Sequence, residues 1–161
     1  MLGNIALLTA WADWYGDSAA LSTSVTALHL GGMLLGGGFA LASDRATLQA
    51  LRRPGPLGQE LADLDNVHRL VAWGLGVTIA TGLLMLAADL EALLASPVFW
   101  FKMLVLGLLL GNGWTLRRIA HRLTAGPADP VRSRARLRRA ALASAVLWFT
   151  ALALGAALPS A

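Results

Sequence analysis

The sequence predicts an all-α integral membrane protein: a four-helix bundle with both termini outside and its basic loops in the cytoplasm. Three observations lead there. Of the 161 residues, 57% are hydrophobic and only 14% charged, with a mean hydropathy of +0.62, whereas a soluble domain carries about 25% charge. Four stretches are apolar over the ~20 residues needed to cross a ~30 Å hydrocarbon core. Finally, twelve of the thirteen Lys and Arg residues flank or fill the loops between spans one and two and between spans three and four. Positive loops stay in the cytoplasm, which puts the other ends outside.

The segment 1–18 reads as an outer interfacial piece, with Trp11, Trp14 and Tyr15 as an aromatic belt. It has no basic n-region and no clear small-residue cleavage site, so a cleaved signal peptide is not expected. Asp17 or Ser18 is placed to cap the first long helix. The domain 19–161 then holds spans at about 19–43, 68–88, 97–117 and 139–158. Pro54-Gly55-Pro56 breaks the chain after the first span, and the polar, helix-competent segment 57–69 leads into the second. Asp89 and Glu91 lie in a short outer connection, and Pro97 suits the first turn of the third helix. Gly126-Pro127 and Pro130 close the last loop before the fourth span.

Two helix faces are built from small residues. On the first span Ser22, Thr26, His29, Gly32, Met33 and Gly36 share a face; on the second, Gly74, Thr78 and Gly82 recur every four residues. Such faces let helices approach closely, or leave room for a flat ligand.

The polar groups inside the spans are the candidate functional residues, because ionisable side chains are expensive there. Measured from each span's midpoint at ~1.5 Å per residue, His29 lies ~4 Å and Lys102 ~7 Å to the outer side. His68 and His121 lie ~16 Å and ~20 Å to the inner side on the same scale. Depth therefore pairs His29 with Lys102 and His68 with His121. The inner pair suits bis-imidazole ligation of haem b from facing helices. Gly107, Gly111, Trp114, Arg118 and His121 share one face of the third helix, giving clearance and an aromatic wall. Arg69, Arg117 or Arg118 could meet the propionates, and Asp65 could orient the His68 ring. At the outer site Lys102 either snorkels to the headgroups or meets a partner. His29 needs a metal, a neighbouring chain, or a hydrogen-bond partner such as Thr26 or Thr78. Copper competes with haem, since Met33 follows His29 by one turn and Met103 adjoins Lys102, and thioethers and imidazoles suit Cu(I).

Other classes drop out. No HExxH, phosphate loop, nucleophile elbow or acidic pair within a span is present, so no catalytic residue is assigned. No cysteine is present, which removes iron–sulfur and thiolate chemistry. The pI near 11.0 comes from arginines beside membrane spans and calls for lipid headgroups rather than nucleic acid.

Three stretches carry a family resemblance. ALHLGGMLLGGGFALASDR, HRLVAWGLGVTIATGLLML and FWFKMLVLGLLLGN resemble the three core helices of CopD-like and HemJ-like membrane proteins, over roughly residues 26–115. The resemblance implies that His29 and Lys102 are the family's conserved His and Lys. CopD proteins are associated with copper resistance; HemJ proteins contain haem and oxidise protoporphyrinogen. The chain has no Trp in the Gly-rich stretch after His29. It also lacks the Asn-Glu-Val-Pro type of sequence that HemJ shows before its last helix, so that enzyme activity is not carried over. The expectation is a multi-pass protein of the bacterial inner membrane, binding haem b and passing electrons to other membrane redox subunits or a quinone, with homo-oligomers open. Copper handling and a cofactor-free accessory subunit are the alternatives.

Overall fold

A computed structural model describes the backbone of residues 2–53, 58–124 and 130–157, and the side chains of 6–53, 67–123 and 131–157. Every element among them is helical: α1 Leu2–Asp17, α2 Ala19–Ala50, α3 Gly58–Ala88, α4 Leu90–Ala95, α5 Pro97–Thr124 and α6 Pro130–Ala157. Four of these, α2, α3, α5 and α6, are long and apolar enough to cross a membrane. Leu28, Leu34, Trp73 and Phe149 are among the large apolar side chains exposed on them, as lipid-facing residues would be.

The long helices overrun the apolar spans on the basic side. α2 continues to Ala50, α5 to Thr124, and α6 starts at Pro130, because intrahelical hydrogen bonds persist where a helix leaves the hydrocarbon. The polar stretch before the second span is helical from Gly58, continuous with α3. Asp65 falls among residues whose side chains are not described. The N-terminal segment is a helix of its own, capped off from α2 by Ser18, whose hydroxyl accepts from the Leu21 amide at 3.3 Å. It packs on α3: Trp11 donates its indole N–H to the Leu84 carbonyl at 3.0 Å, and Trp14 and Tyr15 pack around the Trp11 ring. The connection between α3 and α5 contains the short α4, with Asp89 as N-cap.

Around the bundle the order is α3, α2, α6, α5. The pairs α2/α3 and α5/α6 are tight, α2 and α6 join them, and α3 and α5 barely touch. The α2/α3 contact is where the two small-residue faces meet. A Cβ built on Gly74 would stand 2.6 Å from the Gly36 backbone nitrogen, and one on Gly32 would stand 2.8 Å from the Gly74 carbonyl oxygen. No side chain fits between these backbones. Trp148 of α6, 2% exposed, lies flat against the other glycine edge of α2, 3.0 Å from a Cβ built on Gly37. Met33, Leu75, Val105, Leu109 and Ala151 belong to that core, and Leu116, Ala120, Leu137 and Ala140 form a second one towards the end of the bundle where the arginines cluster. Between α5 and α6 the Asn112 amide donates to the Ala140 carbonyl at 2.9 Å.

Gly74→Ala is expected to destabilise the detergent-solubilised protein by about 1–3 kcal/mol, the cost of forcing a methyl into a filled contact. Gly76→Ala, two residues along the same helix but facing open space, should be neutral or slightly stabilising. Thermal unfolding measures both; equal effects would mean that α2 and α3 do not meet at Gly74.

Candidate functional site

His29 is 8% exposed, although it lies within a span, and three helices determine its surroundings. The α2/α3 seam brings it opposite the end of the glycine-threonine face of α3. There its Nδ1 lies 3.1 Å from Thr81 Oγ1, and Gly82 leaves the room the ring occupies, since a Cβ there would be 3.2 Å from His29 Cε1. The Thr81 hydroxyl has its proton committed: it donates to the Val77 carbonyl at 2.7 Å, with the Thr78 carbonyl at 3.2 Å. It therefore accepts from the ring, which fixes His29 as the tautomer protonated at Nδ1.

The bare Nε2 then points across the bundle towards α5. Lys102 Nζ stands 3.5 Å away, a long hydrogen-bond distance, with the half-buried amine as donor. A chain of polar contacts thus runs from α5 through α2 to α3: Lys102 to His29, His29 to Thr81, Thr81 to the Val77 carbonyl. On the α6 side it is bordered by Gly155, where a Cβ would lie 3.7 Å from Lys102 Nζ and 3.9 Å from Met33 Sδ. Imidazole, amine and thioether therefore gather around one bare glycine. Met103 is half-buried beside Lys102 in sequence.

The structure joins His29 to Lys102, as their depths suggested, and the amine meets a partner in the bundle instead of snorkelling. The threonine differs from the two expected. Thr78 uses its hydroxyl on the Gly74 carbonyl at 2.9 Å, and Thr81, one turn on, takes the ring. Depth alone could not separate neighbouring threonines; the antiparallel register of α2 on α3 does.

The inner residues are spread over the surface of the bundle. His68 is half-buried and Arg69 exposed on α3, while Trp114, Arg118 and His121 are exposed on α5, and α3 and α5 barely touch. The α5 face that carries Gly107, Gly111, Trp114, Arg118 and His121 is the exposed one; Phe99, Val105, Leu109, Leu116 and Ala120 take the buried side. Arg118 stacks over the Trp114 ring, 4.9 Å from its centroid. No group of three or more His, Cys, Asp or Glu side chains converges among the described residues.

One buried polar cluster carried no sequence signal beyond its composition. Asp44, 6% exposed, hydrogen-bonds Ser144 of α6 at the α2/α6 contact, with Thr47 buried one turn on. Its second carboxylate oxygen and the Thr47 hydroxyl have no hydrogen-bond partner among the described residues. Asp44 belongs to the same buried α2 stripe as His29, Gly36 and Ala40, and extending that stripe past the apolar span would have found it.

No family model, curated protein or solved structure matches this chain. The polar chain centred on His29 is accordingly judged on its own chemistry.

Thr81→Val should leave the His29 Nδ1–H without its hydroxyl acceptor and lower stability by about 1–3 kcal/mol, the range for orphaning a buried polar group. Thr81→Ser should restore most of it. Ring-nitrogen NMR of ¹⁵N-histidine-labelled protein should show His29 protonated at Nδ1 and bare at Nε2; protonation at Nε2 alone would reverse the direction of the chain.

Proposed function

We propose that this is a b-type haem protein of the bacterial inner membrane that passes electrons within a membrane redox system, with His29 and Lys102 as the residues that would hold the haem. One observation carries the reading: two nitrogens from different helix pairs, His29 Nε2 and Lys102 Nζ, face each other at 3.5 Å inside the bundle. His29 Nε2, an imidazole nitrogen of the kind that holds haem iron, would hold the group, and Lys102 Nζ would offer a second nitrogen beside it. The donor set fits. Thr81 orients the ring and keeps its proton on Nδ1, the outer-shell arrangement that metal-bound imidazoles use. Gly82 and Gly155 present no side chain beside the pair, and the slack α3/α5 edge is the side on which a flat group could enter.

Haem, when bound, supplies a one-electron couple whose potential follows from axial ligation and burial. The chain's own residues hold His29 in one tautomer, keep Lys102 away from the headgroups, and exclude water with Met33, Val105 and Trp148. The resemblance to CopD-like and HemJ-like proteins supports the same two residues. Redox partners in the membrane, a quinone or another subunit, follow from the reading.

Copper handling is the second reading. It rests on Met33 Sδ, which shares the space at Gly155 with Lys102 and gives a Cu(I) ion a thioether beside the imidazole.

Protein purified from haem-replete cells should show a Soret band and an α-band that sharpens on dithionite reduction. His29→Ala should abolish both, and Lys102→Leu, which keeps apolar bulk but offers no ligand, should convert six-coordinate to five-coordinate haem. His68→Ala and His121→Ala should leave the spectrum intact; loss of haem in those two alone would move the cofactor to the inner pair. A colourless preparation that retains copper would favour the second reading, and a colourless, metal-free one would overturn both.

The orientation is part of the same proposal. Reporter fusions at Arg53 should score cytoplasmic, and fusions at Ala92 and Ala157 external. A cytoplasmic Ala157 would invert the sidedness and place the His29 site in the inner leaflet.

A further inference from the structure

The outward side of the α5/α6 pair has two adjoining features. An open groove of about 800 Å³ runs between the helices, floored by Gly107 and Gly111 and walled by residues such as Leu142 and Val146. Below it, sharing Trp114 and Thr115, lies a pocket of about 350 Å³ that takes in Arg118, Arg122, Arg136 and Arg139.

The groove is apolar in effect as well as in composition. Its amide and hydroxyl side chains are turned to other uses: the Asn112 amide donates to Ala140, and the Thr115 hydroxyl donates to the Gly111 carbonyl at 2.8 Å. Its glycines differ from those of the α2/α3 seam. A Cβ on Gly107 or Gly111 would meet nothing within 4 Å, so their bareness leaves a channel open instead of admitting another helix of this chain. The pocket below has the opposite character. Four arginines line it and, among the described residues, no carboxylate does; the Arg118 plane is held against Trp114. Guanidinium groups clustered at the end of a membrane-spanning helix pair call for phosphate, which they bind by paired N–H donors.

We infer that the α5/α6 crevice is a binding site for one anionic phospholipid, its phosphate held by the arginine pocket and an acyl chain laid along the groove. The dimensions agree. The rise from Gly107 to Thr115 is ~12 Å at ~1.5 Å per residue, close to the ~15 Å of one leaflet's hydrocarbon. Basic pockets between transmembrane helices recognise anionic headgroups in this way. Charge complementarity favours such a lipid over a second copy of this chain, whose same face carries the same four arginines. Only the position of this end at a membrane–water boundary matters, so the site is independent of the His29 centre and of its cofactor.

Native mass spectrometry of the full chain in nonionic detergent, titrated with phosphatidylglycerol or phosphatidylcholine, tests this. One phosphatidylglycerol should be retained per protein, at least tenfold more tightly than phosphatidylcholine. Arg122→Gln/Arg139→Gln should weaken retention by roughly tenfold or more, whereas Arg45→Gln/Arg52→Gln, which removes two exposed arginines outside the pocket, should change it less than twofold. Gly111→Leu, whose Cβ would meet nothing within 4 Å and whose side chain would occupy the groove, should also weaken retention while leaving thermal stability in detergent unchanged. Equal losses in the two arginine pairs would overturn the site in favour of diffuse attraction. Indifference to Gly111→Leu, displacement of the lipid by millimolar inorganic phosphate, or a dimer lost on Gly111→Leu would each overturn it as well.

Discussion

The contact on which the rest of the structure depends is backbone against backbone, between α2 and α3. Lipid tails are as apolar as leucine, so membrane helices gain little by burying apolar side chains against each other and depend on close packing instead. Gly32, Gly36 and Gly74 make that closeness available: the neighbouring helix fills the space a Cβ would need. The contact also fixes register. Moving toward the N-terminus of α2 and the C-terminus of α3, Gly36 stands against Gly74, Gly32 against Thr78, and His29 against Thr81. The imidazole is thus one more step of the seam, and its hydrogen-bond partner follows from the glycines below it.

Trp148 extends that order to the other half of the chain. Its ring covers the Gly36 and Gly37 edge that α3 leaves free, so α2 is held on two sides and α6 brings α5 with it. Across the remaining gap, between the loosely apposed α3 and α5, the connection is polar. Lys102 reaches His29, and His29 reaches Thr81, so α5 is linked to α3 through a residue of α2. Without water to accept the amine or the ring N–H, each group is costly to leave alone, which favours the bundle geometry that pairs them. A slack edge spanned by a polar chain is also the part of this bundle least fixed by side-chain packing.

Sequence periodicity and charge revealed the four spans, and the two small-residue faces were legible as faces. Helical rise matched the depths of His29 and Lys102 before any coordinates, because both depend only on the midpoint of an apolar run. What it could not give was rotation. The face of α5 with Gly107, Gly111 and Trp114 reads from sequence like an inward wall, yet it is turned outward, because Val105, Leu109 and Leu116 compete for the core and win. Thr81 over Thr78, and Asp44 against Ser144, depend on which residue of one helix meets which of another. That is set by interhelical register, which no single helix encodes. The ends of α2, α5 and α6 beyond the spans were missed for a simpler reason: hydropathy marks where lipid ends, and helices continue past it.

The glycines show most plainly why composition underdetermines such a protein. Gly74 and Gly111 are both glycines within apolar helices, each with another glycine close by on its own helix, and nothing in their local sequence tells them apart. One lies where any added atom strikes the main chain of a neighbour; the other faces nothing within 4 Å. The first kind closes the α2/α3 side so tightly that the histidine's position is determined. The second leaves the α5/α6 side grooved along its length. The difference arises because α2 has glycine on two edges, one taken by α3 and the other by the Trp148 ring. α5 instead meets α6 through Val105, Leu109 and an amide, and its glycines are left on the outside. Two halves of similar composition therefore have opposite surfaces, one sealed around a polar chain and one open to the surrounding lipid.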